Sequence, residues 1–220
     1  MPTAGTDDPL RRRRERAGRL AGLYAVTPDL ADTADLVVRV ECALDGGASA
    51  LQYRNKTADA ALRHRQAEAL ARVTAARGAL YIVNDDPALC AAVGADGVHL
   101  GEDDGSVAAA REIVGPDRII GVSCYNDLGL AEAAVAAGAD YVAFGSFFAS
   151  GVKPGARRAD VALLARATTL GVPVVAIGGI TAENAGELER AGACAVAVIS
   201  AVFCVPDVRA AARAIAAAYR

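Results

Sequence analysis

Short apolar runs and alanine-rich helical stretches alternate eight times along this chain, and nothing else in the sequence constrains its fold as strongly. Strand-like runs lie at residues 20–26, 50–53, 80–84, 97–100, 119–123, 141–144, 174–177 and 195–199. Helical stretches follow them at 35–45, 59–76, 87–93, 106–113, 127–137, 160–169, 184–191 and 207–218. Such alternation is the pattern of a parallel sheet with crossover helices. Each even strand also has the same preface, Gly47-Ala48, Gly94-Ala95, Gly138-Ala139 and Gly192-Ala193. Glycine there suits a left-handed helix cap, and the next apolar residues open a strand. Eight units of ~25 residues fill a small (β/α)8 barrel, so the sequence predicts one α/β domain, a TIM barrel over residues 20–220. An open doubly wound sheet would favour a glycine-rich first turn. The segment after the first strand, Thr27-Pro28-Asp29, has no glycine.

Composition removes several function classes. Of 220 residues, 54% are hydrophobic, and 53 are alanine, which packs closely but adds little apolar area. The longest nearly apolar stretch, residues 193–205, is interrupted by Ser200 and falls short of the ~18–20 residues a spanning helix needs. No membrane partner is expected. The net charge of −3 hides an asymmetry: residues 1–20 carry six arginines against Asp7, Asp8 and Glu15, leaving 17 basic and 23 acidic residues beyond them. A mildly acidic body argues against nucleic acid as a partner. Residues 1–19 read as a flexible, solvated basic arm. Five cysteines, an odd number with no C-x-x-C pair, read as reduced thiols of a cytoplasmic protein. A homo-oligomer is neither required nor excluded.

Of the 23 basic residues 21 are arginine, and only Lys56 and Lys153 are lysine. In a barrel the active site lies at the carboxyl ends of the strands, and both lysines fall just after predicted strands. Gln52-Tyr53-Arg54-Asn55-Lys56 follows the second strand, Asn84-Asp85-Asp86 ends and follows the third, and Glu102-Asp103-Asp104 comes after the fourth. Strands three and four are neighbours, so Asp85 or Asp86 approaches the second acidic cluster. A solvated acidic turn capping the helix near Ser106 would account for that cluster alone. With Arg54, Lys56 and Lys153 on the same rim, the set points instead to Mg²⁺ and a diphosphate. Ser123 ends the fifth strand. On the far rim, Gly178-Gly179 and Ile199-Ser200 follow strands seven and eight, where barrels commonly hold a phosphate on backbone amides. The residues therefore describe an enzyme that binds two phosphorylated small molecules and transfers a group with loss of diphosphate.

With these residues assembled, the chain resembles the thiamine-phosphate synthase family from about Leu23 to Phe203. The resemblance rests on Gln52-x-Arg54-x-Lys56, Asn84-Asp85-Asp86, the run from Gly94 to Gly101, Asp104, Gly121-Val122-Ser123, Phe144-Gly145, Lys153-Pro154, Ile177-Gly178-Gly179-Ile180 and Ile199-Ser200. It implies that Gln52, Tyr53, Arg54, Asn55, Lys56, Asn84, Ser123 and Lys153 hold an aminopyrimidine diphosphate, with Arg54, Lys56, Ser123 and Lys153 serving the chemistry. It implies Asp85 and Asp104 as ligands of one Mg²⁺, and Ser150, Gly151, Val152, Gly179, Ile199 and Ser200 as the thiazole phosphate site. The family's reaction is dissociative: diphosphate departs, a pyrimidine-methyl cation forms, and the thiazole nitrogen captures it to give thiamine phosphate.

Two departures carry information. Where the family usually has Thr-x-Thr before the lysine, this chain has Ser150-Gly151-Val152, which loses one hydroxyl. Val152→Thr is therefore expected to lower the KM for the thiazole phosphate, and an unchanged KM would remove that explanation. Tyr125 follows Cys124 where the related thiazole tautomerases have a histidine acid or base. Its absence disfavours an isomerase of that kind. A non-catalytic barrel binding thiamine precursors would be marked by loss of a metal ligand or of Lys153, and neither is lost. His99 is expected to face the barrel interior as a core histidine, His64 to lie on a solvated helix face, and Cys124 to be a small core thiol.

Overall fold

A computed structural model describes residues 8–149 and 159–219. Eight parallel strands close into a barrel in sequence order, β1 (Gly22–Val26), β2 (Ala50–Tyr53), β3 (Leu80–Asn84), β4 (Gly97–Leu100), β5 (Ile119–Tyr125), β6 (Tyr141–Gly145), β7 (Val174–Ile177) and β8 (Ala195–Val198). The helices are α1 (Pro9–Ala17), α2 (Thr33–Asp45), α3 (Ala60–Arg77), α4 (Pro87–Ala92), α5 (Val107–Val114), α6 (Leu128–Ala136), α7 (Ala162–Ala167), α8 (Ala185–Arg190), α9 (Ser200–Phe203) and α10 (Val208–Ala218). A 3₁₀ turn, Thr168–Leu170, extends α7.

Side-chain alternation along each strand sorts the core into two layers. Tyr24, Val26, Ala50, Leu80, Ile82, Ile119, Tyr141, Ala143, Val175, Ala195 and Ala197 fill the barrel interior. The intervening residues, such as Leu23, Leu51, Val98 and Val196, pack outward against the helices. Inward positions at the carboxyl ends of the strands therefore open onto the mouth, and outward ones do not.

The Gly-Ala preface performs one structural task four times. Gly47, Gly94, Gly138 and Gly192 all have positive φ, from +69° to +108°. The N–H of the following alanine bonds back to Ala43, Cys90, Ala134 and Leu188 in turn, closing the helix end in the Schellman manner. Helix starts are as regular. Asp32, Asp59, Asp86, Ser106, Asp127 and Asp207 each accept a hydrogen bond from the first turn that follows.

The expectation of a flexible arm does not describe Pro9–Ala17. These residues form a helix capped by Asp8. Arg12 pairs with Asp117 at 2.8 Å, Arg13 with Asp140 at 3.0 Å and Arg16 with Asp96 at 3.2 Å. Ala17 and Leu20 join the interior core cluster and close the amino-terminal end of the barrel. The basic residues look solvated in sequence because their acidic partners lie 80–127 positions away. Residues 1–7 lie outside the described chain.

Candidate active site at the barrel mouth

The β2–α3 loop presents the first cations. Thr27 is fully buried, and its hydroxyl both donates to the Arg54 carbonyl and accepts from the Arg54 N–H, each at 2.8 Å. Asp29 accepts from the Arg54 guanidinium at 3.1 Å and from the Lys56 N–H at 2.8 Å. Asn55 is only 6% exposed, and both ends of its amide are used: Nδ2 donates to the Leu30 carbonyl and Gln66, and Oδ1 accepts from Thr57 and Ala58. Asn55 thus holds the loop, while Arg54 and Lys56 are presented by it. Tyr53 points outward: its hydroxyl donates to Gln66 at 2.9 Å in the barrel–helix layer. The side chains of Tyr53 and Asn55, both expected at the ligand, are therefore engaged elsewhere, and only their backbone borders the mouth.

The acidic cluster resolves into two residues. Asp86 caps α4 through the Leu89 N–H at 2.8 Å. Asp85, just after β3, adopts the left-handed region with φ +63° while its N–H donates to the His99 carbonyl at 2.8 Å. That turn brings its carboxylate to Lys56 Nζ at 3.1 Å. Across the gap, Asp104 folds back so that Oδ2 accepts from the Gly101 N–H at 2.8 Å. A side chain at Gly101 would stand 2.8 Å from that oxygen. Burial raises the Asp104 pKa, and the adjoining Asp85 carboxylate raises it further, while the Gly101 N–H and Lys56 act in the opposite sense. Two adjoining carboxylates beside a lysine make a place for a hard cation and an anion.

Deeper in the barrel, Gln52 and Ser123 face inward. Gln52 Nε2 donates to the Tyr24 hydroxyl at 2.9 Å, and Ser123 Oγ lies 2.9 Å from His99 Nε2. Strand β5 runs past Ser123 to Tyr125, with a register shift between them, longer than the apolar run foretold. His99 is buried with both ring nitrogens bonded, and burial pushes its pKa down to about 4, so the imidazole is neutral above that pH. Cys124 is a buried core thiol, pushed up to about 12 by burial. His64 is exposed. Asn84 ends β3 on the inward face shared with Ile82.

On the far rim, Gly178 and Gly179 have φ +106° and +66°, and a Cβ at Gly179 would run into the backbone of Phe148 and Ala149. Asn184 braces this turn, accepting from the Thr181 N–H and donating to the Gly179 carbonyl. Ile199 and Ser200 open α9, a short helix unforeseen in the sequence, whose first N–H groups have no intrahelical partner. Ser150, Gly151, Val152 and Lys153 lie outside the described residues. Thr27 and Asp29 are site residues that sequence reading missed. The signal for Asp29 was its place immediately after a predicted strand.

Comparisons with known proteins agree on one relationship. The family model described as thiamine monophosphate synthase matches residues 23–202. The chain is 57% identical over 198 residues to thiamine-phosphate synthase of Chromobacterium violaceum, covering 90% of this chain and 96% of that one. Its identity to thiamine-phosphate synthase of Thiobacillus denitrificans is 57% over 192 residues, 87% and 91% of the two chains. Among solved structures, thiamine phosphate pyrophosphorylase from Pyrococcus furiosus superposes with a TM-score of 0.82 at 37% identity, covering 92% of this chain and 96% of that one. A 3-hexulose-6-phosphate synthase, 19% identical with a TM-score of 0.69, shares the fold.

Proposed function

The chain belongs to the thiamine monophosphate synthase family, and we propose that it is the transferase joining an aminopyrimidine-methyl diphosphate to a thiazole-ethyl phosphate, giving thiamine phosphate and diphosphate. The observation that carries this reading is the meeting of Lys56, Asp85 and Asp104, from three separate loops, on one rim.

In this reading Arg54, oriented by Asp29, and Lys56 bind the diphosphate. Asp85 and Asp104 would hold Mg²⁺. The donor set fits that ion, which takes one or two carboxylates and completes its shell with water and substrate phosphate oxygens. When bound, the ion offsets negative charge growing on the departing diphosphate. Gln52, Asn84 and Ser123 hold the heterocycle from inward positions. Lys153, outside the described residues, is assigned by the family resemblance to the diphosphate. Ser150, Gly151, Val152, Gly179, Ile199 and Ser200 take the thiazole phosphate, partly on backbone amides. No protein nucleophile is required, since the thiazole nitrogen captures the pyrimidine-methyl cation after diphosphate leaves. The buried Cys124 thiol, next to Ser123, is unsuited to that role. Partners are thus small phosphorylated molecules, and the five unpaired cysteines support a reducing, cytoplasmic setting. Among the described residues, no helix is long and apolar enough to cross a membrane.

An isomerase would leave the Lys56, Asp85 and Asp104 group without a task, and a precursor-binding sensor would bind both substrates without forming product. Incubating the protein with both substrates and Mg²⁺ is expected to release thiamine phosphate and diphosphate in equal amounts. Absence of product with both substrates saturating would overturn the assignment.

A further inference from the structure

Five polar side chains from five strands form one hydrogen-bonded chain across the barrel below the mouth. Gln52 on β2 donates to Tyr24 on β1, 2.9 Å; Tyr24 meets Tyr141 on β6, 3.1 Å; Tyr141 meets His99 on β4, 3.0 Å; and His99 meets Ser123 on β5, 2.9 Å. Tyr24 and Tyr141 are at most 1% exposed, Gln52 is 6% and His99 8%. The surrounding interior is Val, Ile, Leu and Ala. Buried hydroxyls and amides cost free energy unless paired, and phenylalanine would fill the two tyrosine positions without that demand. Packing alone therefore does not explain the two hydroxyls.

Glycine makes the chain geometrically feasible. His99, Gly121 and Tyr141 are in register on three adjacent strands. A Cβ at Gly121 would lie inside the Tyr141 ring. With no side chain between them, the His99 and Tyr141 rings stack, centroids 5.5 Å apart at 25°, and Tyr141 reaches Tyr24 edge-on at 6.4 Å.

The direction of every bond follows from the first once each buried hydrogen is required to find an acceptor. The Tyr24 hydroxyl accepts from the Gln52 amide, and Tyr141 is its remaining partner in the chain, so pairing its own hydrogen sends that hydrogen to Tyr141. Tyr141 then donates to His99 Nδ1, and a neutral imidazole accepting at Nδ1 carries its single hydrogen on Nε2. That hydrogen goes to Ser123 Oγ, leaving the serine hydrogen to point elsewhere. At the two ends the chain offers unlike groups, the Gln52 carbonyl as acceptor and the Ser123 hydroxyl as donor.

We propose that Tyr24, Tyr141 and His99 are positioning residues that fix the Gln52 amide and the Ser123 hydroxyl in this one polarity, so that the mouth selects a planar ring carrying an amino group beside a ring nitrogen. This rests on reading the mouth as an aminopyrimidine site. The amino hydrogens meet the Gln52 carbonyl, and the serine hydrogen meets a ring nitrogen. A ring lacking the amino group leaves the buried Gln52 carbonyl unpaired and is rejected.

The test uses Tyr141→Phe and Tyr24→Phe, which keep the rings and remove the links. Each is expected to raise the KM for the pyrimidine diphosphate about ten-fold. Preference for it over the analogue with hydrogen in place of the amino group should fall by a similar factor. The KM for the thiazole phosphate and the Mg²⁺ midpoint should stay unchanged. The chain has two histidines, so in His64→Gln the ¹⁵N spectrum reports His99 alone. It should show hydrogen on Nε2, and adding Tyr141→Phe should give a mixture of tautomers. Hydrogen on Nδ1 in the parent, or phenylalanine variants with unaltered KM and unaltered preference, would overturn the proposal. Should the parent make no thiamine phosphate, the functional reading fails, and the tautomer measurement still decides the chain.

Discussion

Asp85→Asn is expected to lower kcat/KM for the pyrimidine diphosphate by about 10²–10³-fold, the range for losing one group that stabilises charge developing in a transition state. Asparagine is the informative replacement because position 85 has φ +63°, which Asn tolerates and alanine resists. Folding strain is thereby kept out of the measurement. The variant keeps an oxygen near Lys56 but loses the charge that it shares with Asp104. Magnesium provides a readout independent of turnover. At a concentration one hundred times its Kd, Mg²⁺ should stabilise the parent by about 2.7 kcal/mol in thermal melts, and the variant far less. Without Mg²⁺ the variant should melt no lower than the parent, since removing one of two adjoining carboxylates relieves Asp104. Unchanged kcat/KM together with an unchanged Mg²⁺ response would remove Asp85 from the metal site.

The strands were legible because their signals are local. All eight apolar runs coincide with a strand to within two residues at each end, the widest differences being the start of β1 and the end of β5. Four Gly-Ala prefaces could be read as caps because a positive φ is a property of one residue. The arm was misread for the opposite reason. Arg16 and Arg13 find their partners only after the chain has laid down three and five strands of the barrel. The rim was legible by position, since residues following strands must lie at the mouth, but position does not say which way a side chain turns. Gln52 and Tyr53 are neighbours, and alternation sends one into the barrel and the other beneath α3. Asp85 and Asp86 are likewise neighbours, and a left-handed turn sends one to Lys56 while the other caps α4. His99 was foreseen as an interior histidine, but its link to Ser123 needed the register of β4 and β5.

Asp140→Asn is expected to cost about 3–5 kcal/mol, although it lies at the end of the barrel opposite the mouth. Its carboxylate is 11% exposed and takes three donors: Arg13 Nε at 3.0 Å, Arg111 Nη2 at 2.6 Å and the Ile120 N–H at 2.8 Å. Asparagine preserves shape and can still accept from Ile120. It strands two guanidiniums, of which Arg13 is 13% exposed and Arg111 21%. The cost therefore reports uncompensated charge rather than a cavity. For a chain of this size each kcal/mol lowers Tm by about 2–4 °C, so a fall on the order of 10 °C should appear in thermal melts. Arg13 belongs to α1, so hydrogen exchange over Pro9–Ala17 should quicken while kcat below the transition stays near the parent value. Arg72→Ala supplies the contrast. That arginine pairs with Glu68 at 3.4 Å with side chains 69% and 55% exposed, and its loss should cost at most about 0.5 kcal/mol. Equal Tm shifts for the two variants would mean that the Asp140 pairing does not anchor the helix, and that the Arg12 and Arg16 pairs with the apolar contact of Ala17 and Leu20 hold it.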